Sequence, residues 1–242
     1  MGVGAVSPLR FKVKIFADTA DKAAILDLYA KPWISGFTTN PSLMRKAGVT
    51  DYRAFACDIL AAIPDRPISL EVFADDSSSI ERQARLIASW GGNVYVKIPV
   101  TNTRREPLLD LICRLSHSGV KVNVTALLSL TQVRDVVQSL AGGAPSCISV
   151  FAGRIADTGI DPMPLMSAAL DFIRPYPEIE LIWASPREIL NLVQADRIGC
   201  HIITLTGDIL NKLDILGRDL ADYSLETVKM FYHDARKSGL TL

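Results

Sequence analysis

The chain has 242 residues, 49% of them hydrophobic, and sets 26 Lys and Arg against 26 Asp and Glu, a formal net charge of zero. That length and apolar content suffice for one large α/β domain or two small ones and exclude a disordered chain. Balanced charge leaves no electrostatic footprint for nucleic acid or a membrane surface, and no apolar run approaches the ~20 residues that cross a bilayer.

In chain order, the apolar runs are FKVKIFAD (11–18), ISGFTTN (34–40), ISLEVFA (68–74), VYVKIPV (94–100), VKVNVTAL (120–127), CISVFAG (147–153), IELIWAS (179–185) and HIITLT (201–206). Helical periodicities lie between them. In PLLDLICRLSHSG (107–119), Leu108, Leu111, Ile112 and Leu115 share one face and Gly119 is a stop signal. In SLTQVRDVVQSL (129–140), Leu130, Val133, Val137 and Leu140 do the same, and Ser129 with Gln132 reads as a capping box.

Eight strand–helix units of this kind predict an α/β fold, a single (β/α)8 TIM barrel spanning 1–242 as one domain. The rival is an open doubly wound sheet, which ordinarily carries a Gly-rich phosphate loop after its first strand. Here the first run passes into FADTADK (16–22), with no such loop. An additional C-terminal helix is predicted over 224–239, packing on the barrel or reaching a neighbouring subunit. A homo-oligomer is expected.

The opening segment MGVGAVSPLRFKVKIF lacks the long apolar core of a signal peptide. Cys57, Cys113, Cys147 and Cys200 stand far apart with no CxxC pair. They read as reduced thiols, with no metal site, in a cytoplasmic protein.

Barrel strands alternate between the interior and the helix layer. Val94, Val96 and Ile98 share one face, so Lys97 takes the other. The same phase turns Asp18, Asn40, Glu71, Asn123, Thr125 and Ser149 inward, with Thr38 beside Asn40. They gather at the C-terminal ends of the strands, where barrel active sites are built. A buried hydrogen-bond network would explain any one of these polar residues. A purely structural interior, however, is served by apolar side chains, and the set surrounds a lysine.

A lysine among apolar neighbours has its ammonium form disfavoured, and a neutral amine attacks a carbonyl to form a Schiff base. The iminium is an electron sink that lets an adjacent carbon–carbon bond break or form. That route needs a carboxylate for the hydroxyl proton and an acid/base with a positioned water for dehydration. Asp18 and Glu71 are the available carboxylates, and Thr125 is a nearby hydroxyl. No metal or organic cofactor is required.

In this order, FADTAD with Asp18, GFTTNPSL (36–43), LEV with Glu71, VKIPVT with Lys97, NVT with Asn123 and Thr125, and SVFAGRI (149–155) together resemble the transaldolase family, particularly its small members. The resemblance runs from about residue 12 to 238. It implies that Lys97 is the Schiff-base lysine, that Asp18 is the acid/base of carbon–carbon cleavage, and that Glu71 and Thr125 hold the water. It places Asn40, Asn123 and Ser149 on the dihydroxyacetone portion of a small sugar phosphate and Arg154 on its phosphate; Thr38, Phe151 and Ser185 are expected to bind substrate as well. The related fructose 6-phosphate aldolases, which release free dihydroxyacetone, carry Tyr where Phe151 stands and Gln where Glu71 stands. Both positions here have the transaldolase form, which favours transfer over release.

Family members usually carry Ser-x-Arg and then several loop residues after the seventh strand. Here WASPREILNL is shortened, with Pro186 between Ser185 and Arg187. Arg187 is either a phosphate ligand or a first-turn helix residue, and a sugar from a secondary pathway remains an alternative substrate. Arg104 and Arg105 in TNTRREP (101–107) read as solvated surface. A barrel that kept these residues without the chemistry, as a binding protein, is the non-enzyme alternative.

Overall fold

The computed structural model describes residues 11–239. Its elements alternate as the sequence predicts. The first half runs β1 (Lys14–Asp18), α1 (Lys22–Tyr29), β2 (Ile34–Thr38), α2 (Pro41–Lys46), α3 (Tyr52–Ala62), β3 (Ile68–Glu71), α4 (Ser77–Ala88), β4 (Val94–Pro99) and α5 (Leu109–His117). The second half runs β5 (Val122–Leu127), α6 (Leu130–Leu140), β6 (Ser146–Val150), α7 (Ala152–Asp157), α8 (Pro162–Ile173), β7 (Ile179–Trp183), α9 (Leu190–Ile198) and β8 (Ile202–Leu205). The short α10 (Gly207–Leu210) and the long α11 (Leu220–Lys237) follow. All strands are parallel, and β1 pairs with β8 as well as β2, which closes the barrel and rules out an open sheet.

Six of the eight strands end before the apolar runs that announce them, β1 and β5 excepted. Asn40 leaves the sheet to become the N-cap of α2, its Oδ1 accepting from Leu43 N at 3.0 Å, with Pro41 opening the helix. Likewise Phe151 stands at the N-terminus of α7, and Ser185 lies beyond β7. The upper ends of the runs thus feed helix starts, and polar side chains there serve caps or the barrel mouth. The Ser129–Gln132 capping box forms as expected, a device worth about 1 kcal/mol.

Two apolar clusters hold the fold. The larger lies between the strands and the helix layer and includes Ile25, Phe37, Ile98, Val124, Val133 and Trp183. The smaller fills the barrel with Phe16, Cys147, Ile182, Ala184 and Ile202, flanked by Tyr95 and Phe151. Gly36 makes room for this plug. A Cβ there would sit 2.6 Å from Cζ of Phe16, so the β2 backbone approaches the ring as only glycine permits. Below, Lys14 donates to Glu180 at 2.7 Å across the base. The plug forms a buried apolar floor beneath the polar upper layer.

The C-terminal helix starts at Leu220, earlier than the pattern places it, and buries none of its residues. Leu220, Val228 and Phe231 are exposed, so α11 does not pack on its own barrel in the way one of the two expectations held. No helix among the described residues is long and apolar enough to cross a membrane.

Candidate active site

A cavity of about 520 Å³ opens at the C-terminal end of the barrel. Its lining includes Asp18, Thr38, Asn40, Glu71, Lys97, Thr125, Ser149, Phe151, Arg154, Ser185 and Arg187. Eleven of the twelve site residues expected from the sequence thus meet in one place. The twelfth, Asn123, is fully buried and outside the lining. Its Nδ2 donates to Ser69 Oγ at 3.0 Å, and its Oδ1 accepts from Ser149 Oγ at 2.8 Å. Asn123 therefore aims Ser149 from beneath.

Register explains the convergence. Glu71 on β3 pairs with Lys97 on β4, which pairs with Asn123 on β5; on the other side Asp18 on β1 pairs with Thr38 on β2. Between the two sets the register steps, Thr38 pairing with Ser69 two residues before Glu71, the stagger that closing a barrel of tilted strands requires.

Lys97 Nζ donates to Thr39 O at 2.6 Å and to Glu71 Oε1 at 3.2 Å. Both ends of that ion pair are buried. The expectation of a lysine among apolar neighbours needs correction, because its nearest partners are a carboxylate and a carbonyl. The barrel wall is apolar only on its helix-facing side and in the plug below. Burial pushes the Glu71 carboxyl above its ordinary range, against the pull of Lys97 and of hydrogen bonds led by Thr39. Burial likewise raises Asp18, opposed by the charge of Lys97 and by hydrogen bonds from Thr38 and Asn40. Thr38 Oγ1 donates to Asp18 Oδ1 at 2.8 Å, and Asn40 Nδ2 lies 3.4 Å from Oδ2. Two carboxylates that hold protons more readily than usual thus flank one amine. Such a set suits proton transfer in both directions.

Thr125 Oγ1 is buried without a hydrogen-bond partner among the described residues. It stands where β5 loses register with β6, beside Ala126 in the left-handed region at φ 65°. A buried hydroxyl of this kind remains available to a bound molecule.

The two arginines differ. Arg154 is exposed, with its guanidinium 5.0 Å over the Phe151 ring, a contact worth about 0.5–1 kcal/mol at an exposed site. Arg187 lies in the loop before α9, not in its first turn. Its Nε donates to Asp157 Oδ1 at 3.0 Å and its Nη2 donates to Asp157 Oδ2. That loop is pressed against α7. Ser185 adopts φ 57°, and a Cβ on Gly153 would fall 1.6 Å from its carbonyl oxygen. Arg104 and Arg105 lie outside the cavity lining, and Arg104 pairs with Glu106, as a solvated loop should.

Sequence reasoning missed Thr204 and Thr206, which also line the cavity. Alternation in HIITLT carries the signal, since Ile203 and Leu205 pack outward in the larger cluster. Thr39 was missed too. No group of three or more His, Cys, Asp or Glu suited to a metal ion occurs among the described residues.

A family model described as Transaldolase/Fructose-6-phosphate aldolase matches residues 15–241. A protein named probable transaldolase from Dehalococcoides mccartyi is 36% identical over 202 residues, covering 83% of this chain and 90% of that one. Another of the same name from Thermoanaerobacter sp. (strain X514) is 34% identical over 231 residues, covering 95% of this chain and all of its own. Among solved structures, 2,3-dimethylmalate lyase, a PEP mutase/isocitrate lyase superfamily member, superposes with a TM-score of 0.53 at 10% identity, covering 96% of this chain and 86% of that one. At that identity the likeness concerns the fold alone.

Proposed function

This chain belongs to the transaldolase/fructose-6-phosphate aldolase family, and we propose that it is a cytoplasmic Schiff-base enzyme, one barrel domain, that transfers a dihydroxyacetone unit from a ketose phosphate to an aldose acceptor. One observation carries this reading: a lone lysine, Lys97, bonded to Glu71 in a barrel-mouth cavity that Asp18 also lines.

In this scheme the Lys97 amine attacks the ketose carbonyl carbon. The carbinolamine loses water to become an iminium, with Glu71 and Thr125 handling that water and its proton. Asp18 then accepts the proton of the hydroxyl beta to the iminium carbon. The carbon–carbon bond breaks, its electron pair enters the iminium to give an enamine, and an aldehyde leaves. The enamine attacks the acceptor aldehyde, Asp18 returns the proton to the new alkoxide, and hydrolysis frees the product ketose and the amine. Thr38, Asn40 and Ser149 hold the dihydroxyacetone portion, with Asn123 behind Ser149. Arg154, Ser185 and Arg187 receive the phosphate at the rim.

Transfer is favoured over release by Phe151, whose ring presents no hydroxyl to the cavity it lines. Water attack on the enamine-derived iminium therefore lacks an organising group there. The wild type should consume fructose 6-phosphate efficiently only when an aldehyde such as erythrose 4-phosphate is present. Phe151→Tyr should raise dihydroxyacetone release without acceptor by about 10-fold or more. Rapid release by the wild type in the absence of acceptor would make it an aldolase instead.

A charged hydrogen bond to phosphate is worth about 1.5–3 kcal/mol. Arg154→Ala should thus raise KM for fructose 6-phosphate about 10-fold or more while sparing an unphosphorylated ketose. Equal losses on both would remove Arg154 from the phosphate site. The homo-oligomer reading rests on α11, a helix with no buried residue and with Leu220, Val228 and Phe231 exposed. The mass of the native protein by light scattering decides it.

A further inference from the structure

Thr39 makes more contacts to the central pair than any role in the scheme above assigns it. It is buried, 1% exposed, just beyond the end of β2. Its carbonyl accepts from Lys97 Nζ at 2.6 Å. Its hydroxyl lies 3.0 Å from Glu71 Oε2 and 3.0 Å from the carbonyl of Ser69. The Ser69 carbonyl also accepts from the backbone N–H of Thr39 at 3.3 Å, which fixes the residue from below.

A hydroxyl has one hydrogen, so it cannot donate to both oxygens at once. The Ser69 carbonyl is an acceptor in every state. The Glu71 carboxyl accepts when ionised, and when protonated it can donate. With Glu71 ionised, the Thr39 hydrogen serves Oε2. With Glu71 protonated, Oε2–H donates to Thr39 Oγ1 and the Thr39 hydrogen turns to Ser69. A full set of hydrogen bonds exists either way, with no heavy atom moving.

We infer that Thr39 is a positioning residue of the Schiff-base step, a hydroxyl rotor that holds Glu71 in one place through its protonation cycle while its carbonyl orients the Lys97 amine. The inference rests on the reading of Lys97 as nucleophile. A neutral amine carries two hydrogens and one lone pair. Among the described residues, Thr39 O and Glu71 Oε1 are the two acceptors within hydrogen-bond distance of Nζ. When they take both hydrogens, the lone pair is left in the remaining tetrahedral direction. The same residue then governs the nucleophile's direction and its partner's proton.

The titratable groups around Glu71 are Lys97 on β4, Asp18 on β1 lining the same cavity, and Tyr52 on α3, whose hydroxyl donates to the Glu71 backbone carbonyl at 3.0 Å. Among the described residues, Thr39 is the one hydroxyl side chain bonded to the Glu71 carboxyl. Borohydride trapping of fructose 6-phosphate at Lys97, followed by intact mass, reads imine formation upstream of the step assigned to Asp18.

Thr39→Val keeps the carbonyl and the shape but loses the hydroxyl. It should slow trapping about 10- to 100-fold with KM changed less than about 3-fold, and its acid limb should move to higher pH, because the ionised carboxylate loses a donor. Thr39→Ser should restore both rate and profile to within about 3-fold. If the wild type traps but Thr39→Val matches it at every pH, the inference falls and the Schiff-base reading stands. Should Thr39→Ser lose as much as Thr39→Val, the hydroxyl is not the operative group. Failure of both Thr39→Val and Thr39→Ala to fold, by circular dichroism, would assign Thr39 to barrel stability and also overturn it. A wild type that is never trapped at Lys97 would instead remove the Schiff-base reading itself.

Discussion

Lys97→Met should lose both borohydride labelling and turnover, the latter by about 10,000-fold or more. Methionine has nearly the length of lysine and fills the space left at the barrel mouth. The substitution leaves Glu71 buried without its cation. Breaking a buried ion pair ordinarily costs about 3–5 kcal/mol, because the remaining charge is stranded. Here Glu71 has a way out. Burial already holds its carboxyl above the ordinary range, and Lys97 is the strongest influence pulling it back down. With that influence gone, burial favours the protonated carboxyl still more, and in that form it can donate to Thr39. The barrel should therefore fold, and the variant reports chemistry rather than collapse. Intact mass after borohydride and fructose 6-phosphate gives one adduct on the wild type, mapped by peptide digestion to Lys97, and none on Lys97→Met. Normal turnover by the variant would end the Schiff-base reading.

Much of this site is visible in the sequence because a barrel strand alternates. Val94, Val96 and Ile98 leave no choice about where Lys97 points, and the same holds for Glu71 between Leu70 and Val72. Alternation fails where strands stop. Thr39 would face the helix layer if β2 continued, but the chain leaves the sheet after Thr38 to start α2 at Pro41. Its hydroxyl and carbonyl turn inward as a consequence. Nothing in TTNPSL states where the strand ends to within one residue, and that one residue decides its role.

Pairings that bridge long separations are also silent in the sequence. Asp157 and Arg187 lie 30 positions apart on α7 and the loop before α9. Their meeting depends on Gly153 letting the Ser185 carbonyl approach α7. Gly36 is another case. In ISGFTT it reads as an ordinary small residue in a strand, and only the Phe16 ring packed against it explains why no side chain fits. Asn123 shows the converse limit. Alternation turns it inward correctly, yet depth within the barrel decides whether an inward residue reaches the cavity, and Ser149 stands between.

Asp18→Asn should cut carbon–carbon cleavage by about 100- to 10,000-fold while leaving trapping at Lys97 intact. An amide retains an oxygen to accept from Thr38 Oγ1, which now meets Asp18 Oδ1 at 2.8 Å. Its NH2 group would face Asn40 Nδ2, donor against donor. Asn40 cannot relieve this by turning its amide, because its Oδ1 caps α2 through Leu43 N at 3.0 Å. The present contact to Asn40 is long, 3.4 Å, so the mismatch is mild and the fold is kept. What the amide cannot do is take the hydroxyl proton as the bond breaks. In the wild type that base must be ionised, and burial has raised its pKa, so activity should fall on the acid side at a pH above the usual aspartate range. The positive charge of Lys97 opposes that rise, and it persists when the amine becomes an iminium, so the carboxylate is kept ready while the donor is bound. Trapping and turnover measured together separate the two steps. An Asp18→Asn protein that labels with fructose 6-phosphate but scarcely turns over places Asp18 at cleavage. One that turns over within a few-fold of the wild type assigns the base to another residue, with Glu71 the remaining carboxylate at the amine.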